Sequence, residues 1–253
     1  MNPESLTVHH LNVHIGGAHI LKDVSLTFPR NQITCIVGPS GCGKSTLLKC
    51  LDRLHYNIEG LEVSGSILLG GQDVIQAGDR ELLELRRTIG LVPQKPCPLP
   101  MSIFDNVAYG CRIHGLHKNR EIPDIVEKYL TEVGLWEEVK DRLGSPAVRL
   151  SLGQQQRLCL ARTLAVEPEY ILADESTSAL DPLSSKIVED LFVKLREDYS
   201  IIMVTHTLHQ ARRIADHAVF LYLGEVVEEG PAATLFGQPR EDLTRKYLAG
   251  IFS

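Results

Sequence analysis

Apolar and polar positions alternate in LTVHHLNV and HILKDVSLTF and again, past a glycine-containing loop, in SGSILLGGQDV. A period of two marks half-buried strands, and the turn residues between these runs predict antiparallel hairpins in the first third of the chain. ITCIV (33–37), set among them, is apolar throughout, the pattern of a strand covered on both faces. It leads directly into GPSGCGKST and then TLLKCLDRL, whose apolar residues have helical spacing, so the order is strand, glycine loop, helix.

The pattern changes near Pro93. KPCPLP is a proline-rich break, and the 65 or so residues after it carry helical periodicity in IPDIVEKYLTEVGLWEEV and QQQRLCLARTLA, which predicts a helical insertion. Strand-like runs return at YILA (170–173), IIMV (201–204) and AVFLY (218–222), separated by the helical patterns LSSKIVEDLFVKLRED and LHQARRIAD. Strands alternating with helices predict a mainly parallel sheet with helices on both faces.

Composition narrows the partners more than the fold. The 253 residues suffice for one large domain or two small ones, and a formal net charge of -6 without a basic stripe argues against nucleic acid. No apolar run is long enough to span a bilayer, and the start MNPESLTVHHLNV lacks the layout of a secretion signal, so a cytosolic chain is expected. Six scattered cysteines without a CxxC pair read as reduced thiols. His114/His117 and His206/His209 have metal-ligand spacing but no nearby Cys or carboxylate to complete a site.

The chemistry begins at GPSGCGKS (38–45), a full G-x-x-x-x-G-K-[ST] match in the required strand-to-helix setting. Its backbone N–H groups and the helix N-terminus suit phosphate, Lys44 suits the β and γ phosphates, and the Ser45 hydroxyl suits Mg²⁺. YILADE ends in Asp174 and Glu175 at a strand terminus, where Asp174 suits a magnesium shell and Glu175 can polarise a water; the same pair can instead cap the next helix. His206, after IIMV, either reaches a terminal phosphate or is an ordinary surface polar residue.

Together these residues resemble the nucleotide-binding subunit of ATP-binding-cassette transporters along nearly the whole chain. The resemblance implies a P-loop NTPase core with a mainly parallel sheet, an N-terminal antiparallel β subdomain and an inserted α-helical subdomain. It implies one ATPase domain over 1–253, with 1–93 and 166–253 as core and 94–165 as the insertion. Gly38, Pro39, Ser40, Gly41, Cys42, Gly43, Lys44, Ser45 and Thr46 look like the family's phosphate loop, and Gln94 like the glutamine joining Mg²⁺ and attacking water to the membrane partner. Arg149 to Gln154, with Ser151, Gly153 and Gln154, match the signature; Asp174 matches the magnesium aspartate and Glu175 the catalytic base. Ser178 to Asp181 match the loop that crosses the dimer interface, and His206 the switch histidine. Three positions depart from the pattern: Ile15, with His14 beside it, where an aromatic commonly stacks on adenine; Ser176 for the usual proline; and Leu152 for the usual first signature glycine.

The resemblance further implies ATP and Mg²⁺ as cofactors and a head-to-tail dimer in which one copy's signature faces the other's phosphate loop. Two transmembrane permease subunits, an extracytoplasmic substrate-binding protein acting indirectly, and a peripheral position on the cytoplasmic face of the membrane follow from it. Within the family, LDRLHYNIEGLEVSGSILLGGQDV, QKPCPLPMSIFDNVAYGCRIHG and LSLGQQQRLCLARTLAVEPE are most similar to the ATPase of phosphate importers, which implies phosphate uptake. The alternatives are another oxyanion or small-molecule importer, or a non-transport cassette ATPase. The resemblance also makes Lys95 to Tyr109, just beyond Gln94, a candidate docking surface for the membrane subunits, with a plain proline-rich connector as the alternative. From the residues themselves, Ser151 and Gln154 have capping-box spacing, and Cys42 at a helix N-terminus is expected to favour thiolate.

Overall fold

The computed structural model describes residues 5–54 and 58–251. The first four residues of MNPESLTVHHLNV and residues 55–57 within LDRLHYNIEGLEVSGSILLGGQDV lie outside the described residues. The strands are β1 (Leu6–Ile15), β2 (Ala18–Phe28), β3 (Ile33–Val37), β4 (Leu61–Leu69), β5 (Gln72–Asp73), β6 (Ile89–Val92), β7 (Tyr170–Asp174), β8 (Ser200–Val204), β9 (His217–Tyr222) and β10 (Glu225–Pro231). The helices are α1 (Lys44–Leu51), α2 (Asp79–Thr88), α3 (Ile103–His114), α4 (Ile122–Glu132), α5 (Trp136–Val139), α6 (Leu152–Leu164), α7 (Pro182–Leu195), α8 (Leu208–Ile214), α9 (Ala232–Gly237) and α10 (Asp242–Leu248). Two compact units result, Met1–Arg86 with Arg196–Ser253, and Arg87–Leu195. Among the described residues no helix is long and apolar enough to cross a membrane.

In the first unit, β2, β1, β4 and β5 form an antiparallel sheet in that order. Leu6, Val8, Leu11 and Val13 of β1 are buried, although the step from Val8 to Leu11 breaks a period of two. A bulge at His9 and His10 absorbs the extra residue: the ladder slips there and His10 has a φ of 49°. Without it, everything after Val8 would turn to the wrong face. A second sheet region aligns β9, β3 and β8 in parallel, with Cys35 between Ala218 and Met203. All five residues of β3 and of β8 are buried, as unbroken apolar runs require.

β10 pairs antiparallel with β9 and was not legible in the sequence, because EVVEEGP carries three glutamates. Charge of that kind protects a sheet edge from further pairing. Asp216, just before β9, accepts the Ile33 amide at 2.9 Å and the Arg196 guanidinium at 2.7 Å, fixing where β3 starts.

In the second unit, β6 and β7 run parallel, Val92 opposite Ala173. The helical periodicity after Pro93 resolves into α3, α4, α5 and α6, around a core that includes Val107, Val126, Tyr129, Leu130 and Leu158. IPDIVEKYLTEVGLWEEV reads as one helical stretch, but Gly134 at φ 65° ends α4 and separates it from α5.

Replacing Asp216 by Ala leaves the Ile33 amide without its partner, and is expected to lower unfolding stability by about 1–3 kcal/mol in urea titration. A midpoint equal to that of the unaltered chain would contradict this anchoring role.

Candidate functional site

The chain leaves β3 at Val37 and reaches α1 through a loop pressed against its neighbours. A side chain at Gly38 would strike the Leu221 carbonyl oxygen and come within 2.9 Å of Cys42 Sγ. One at Gly43 would lie 2.7 Å from Leu21 Cδ2, and its φ of 106° is itself costly for any other residue. The Gly224 amide donates to the Cys42 carbonyl at 3.0 Å and the Lys22 amide to the Gly224 carbonyl at 2.9 Å, tying the loop to β2 and the β9–β10 turn. Ser45 and Thr46 stand half-buried in the first turn of α1. Lys44 is buried, and its Nζ donates to the Gly38 and Pro39 carbonyls, each at 2.8 Å.

Cys42 is also buried, and this overturns the expected thiolate. Desolvation lifts its pKa above the ordinary thiol value; the nearby Lys44 ammonium, 3.9 Å from Sγ, offsets only part of the effect. Val204 pairs with Ile36, so β8 ends beside the strand that feeds the loop, and His206 emerges exposed two residues on. Ile15 is half-buried at the end of β1. Its neighbour His14 stacks on His19 of β2, ring centroids 4.0 Å apart and 16° from parallel. His19 went unnoticed in the sequence, since the cross-strand pairing that brings it to His14 depends on where the hairpin turns.

The second unit groups three other expected residues. Because Val92 and Ala173 are opposite, Gln94 and Glu175 leave the same end of the β6–β7 pair. Gln94 Nε2 donates to Glu175 Oε2 at 2.9 Å and to Ser178 Oγ at 3.3 Å. Glu175 has a φ of 45°, a conformation that costs on the order of 1 kcal/mol for a non-glycine residue, while Asp174 is the last residue of β7. Ser176 is buried, and its hydroxyl has no hydrogen-bond partner among the described residues.

The signature segment forms the expected capping box. Ser151 Oγ accepts the Gln154 amide at 3.3 Å and Gln154 Oε1 accepts the Ser151 amide at 3.0 Å. Gln154 Nε2 also reaches Glu138, which in turn binds Arg157; burial raises the Glu138 pKa, but these donors outweigh it and hold the carboxyl below its usual range. Leu152 is 54% exposed at the first helical position, whereas Gly153 is buried under Ser184 of α7. Asp181 accepts the Leu183 and Ser184 amides at 3.0 Å each and the Ser184 hydroxyl at 2.6 Å, so its carboxylate caps α7. Ser184 thus joins the loop at Asp181 to the signature glycine, a residue that no sequence pattern marked.

A family model described as ABC transporter matches residues 21–178, a span that includes the glycine loop, Gln94, the signature segment, Asp174 and Glu175. The chain belongs to this family. It is therefore an ABC ATPase with the mixed α/β P-loop fold, which binds ATP with Mg²⁺ and hydrolyses it. It is similar to the solved structure of cbiO1 from Clostridium perfringens, part of the ABC transporter complex cbiONQ. The TM-score is 0.81 at 26% identity, over 99% of this chain and 96% of that one. Ile15, Asp181 and His206 lie outside the span matched by the family model.

Two outcomes follow for this ABC ATPase. A methyl group at Gly153 would sit 2.5 Å from Ser184 Oγ and 2.9 Å from its Cβ. Gly153→Ala is expected to cut ATPase activity by about tenfold or more, with partial recovery in the Gly153→Ala, Ser184→Gly double variant. Equal losses in the single and double variants would detach Ser184 from this role. Because the Cys42 thiol is raised and alkylation proceeds through thiolate, labelling should be slow near pH 7 and climb about tenfold per pH unit towards pH 9. A plateau below pH 8 would mean a depressed pKa instead.

Proposed function

We propose that this ABC ATPase is the energy-coupling subunit of an importer for an oxyanion or another small molecule. In this reading it works at the cytoplasmic face of the membrane as a head-to-tail dimer against two transmembrane permease subunits, with substrate delivered by an extracytoplasmic binding protein. The single observation that carries the reading is the signature helix. It is capped with its N-terminal backbone donors in place and a buried glycine at its second position, yet it has no catalytic side chain of its own. Such a helix start suits the γ-phosphate of ATP held by a second copy. The cbiO1 similarity along almost the full chain supports membrane partners, since that protein is part of an ABC transporter complex. Inorganic phosphate is the narrower substrate reading, supported by the resemblance of the three segments quoted above.

The residues present fit the cofactors. The Ser45 hydroxyl in one unit, and the Gln94 amide oxygen and Asp174 carboxylate in the other, are each hard oxygen donors of the kind Mg²⁺ prefers, and the ion, when bound, would supply charge neutralisation at the phosphates. Lys44 holds the β and γ phosphates together with the backbone of residues 38–46. Glu175 orients and polarises the attacking water, and His206 steadies the terminal phosphate. Ile15, with the His14–His19 ring pair beside it, lies against the base. Ser151, Gly153 and Gln154 close over the γ-phosphate from the second copy, and the loop ending at Asp181 lines the contact between copies. Closure that depends on the γ-phosphate distinguishes ATP from ADP, which a ligand-driven switch requires. On this reading 1–253 act as one ATPase domain, 1–93 and 166–253 as its core and 94–165 as its helical part. The segment from Lys95 to Tyr109 is the docking surface, and Met101 and Tyr109, each 40% exposed, offer it apolar contacts.

Glu175→Gln is expected to keep ATP affinity within a few-fold while turnover falls by about 10²–10⁴, with ATP-bound dimer accumulating in size-exclusion chromatography. Near-normal hydrolysis would remove Glu175 from the role of base. Co-purification with membrane subunits supports the transport reading, and co-purification with nucleic acid opposes it. Loss of phosphate uptake in a deletion strain supports phosphate as the cargo, whereas intact phosphate uptake with loss of another solute leaves the broader importer reading standing.

A further inference from the structure

The carboxy-terminal helix reaches the nucleotide loop. Tyr247, on α10, is 7% exposed and stacks on Phe220 of β9, ring centroids 4.7 Å apart and 16° from parallel. Phe220 is opposite Val37, the last residue of β3, so the tyrosine ring lies where the strand gives way to Gly38. There the Tyr247 phenolic oxygen comes within hydrogen-bonding reach of the Gly38 amide. Burial pushes the phenol above its usual pKa, and the Gly38 amide opposes only part of that shift. Gly38 is engaged on its other side as well, because its carbonyl accepts Lys44 Nζ at 2.8 Å.

The helix that carries this tyrosine is firmly seated. Glu228 of β10 accepts the Arg240 amide at 2.8 Å and the Glu241 amide at 3.2 Å, at the start of α10. Arg245 donates to the Pro239 and Arg240 carbonyls at 2.7 and 2.8 Å, and Thr244 is fully buried. A hydroxyl on so fixed a support sets the place of the group it binds.

We infer that Tyr247 is a positioning residue for ATP binding: its phenolic oxygen holds Gly38, and Gly38 in turn places the Lys44 ammonium and the neighbouring Cys42. The inference rests on the loop at 38–46 being the ATP site. Tyr247 touches neither phosphate nor base, so its effect falls on affinity rather than on the chemical step.

Tyr247→Phe separates the hydroxyl from the ring, since phenylalanine can keep the stack on Phe220. In the full chain this variant is expected to raise the KM for ATP about threefold to tenfold, as loss of one buried hydrogen bond allows, with kcat within about twofold. Alkylation of Cys42 should quicken by a similar factor without nucleotide, and ATP should protect the thiol less well at a fixed concentration. Tyr247→Leu, which removes the stack too, should lower the melting temperature as well. If the unaltered chain binds ATP while Tyr247→Phe leaves KM and Cys42 labelling unchanged, this inference falls alone. If the unaltered chain fails to bind ATP, the reading of the loop falls and takes the inference with it.

Discussion

Backbone carbonyls of Ile20 and Leu221 crowd the loop between β3 and α1 so closely that neither Gly43 nor Gly38 has room for a side chain. Most features of the first unit serve that approach. β1 pairs with β2 through a ladder that slips at His9 and His10 and again on either side of Val13, and β2 in that register presents Ile20 and Leu21 to Gly43. β9 supplies Leu221 from its pairing beside β3, and the β9–β10 turn supplies Gly224, whose amide holds the Cys42 carbonyl. A loop so constrained has little conformational freedom left to lose on binding a ligand. The same crowding buries Cys42, which is why proximity to a helix N-terminus does not make it a thiolate: removing the sulfur from water outweighs the dipole and Lys44 together.

The second unit is organised by short polar contacts rather than by crowding. Glu175 sits in a left-handed conformation at the end of a buried strand, and the Gln94 amide holds its carboxylate from the neighbouring strand. Strain of this kind persists only where the surroundings over-determine the backbone, here through β7 pairing and the Ser178-to-Glu175 backbone hydrogen bond at 2.9 Å. Asp181 caps α7, and Ser184, fixed by that cap, roofs Gly153. The loop that follows Glu175 and the start of α6 are thus in close contact through Ser184 and Gly153.

What could be read from the chain is what depends on near neighbours. ITCIV and IIMV are strands because an unbroken apolar run can be satisfied only with both faces covered, and the structure buries every residue of each. The capping box of α6 was legible because a cap joins residues three apart, and Leu152 takes the first helical position with its side chain exposed. Elements whose partners lie far along the chain were missed. β6 is four residues with a glycine in the middle, and it is a strand only because β7 lies alongside. β10 looks like a polar loop until β9 supplies its hydrogen bonds, and α10 has no strong periodicity of its own.

The site divides in the same way. Residue types and short spacings by themselves determined that this chain handles ATP and magnesium: the phosphate loop, the paired carboxylates and the signature are local patterns, because each group must act within a few ångströms of its neighbours in the chain. Tertiary structure decided the rest. It set the Cys42 pKa through burial, brought Gln94 to Glu175 across 81 positions, stacked His19 on His14, placed Ser184 over Gly153 and carried Tyr247 to Gly38. Desolvation and contacts between distant segments exist only once the chain has packed, and no linear pattern records them.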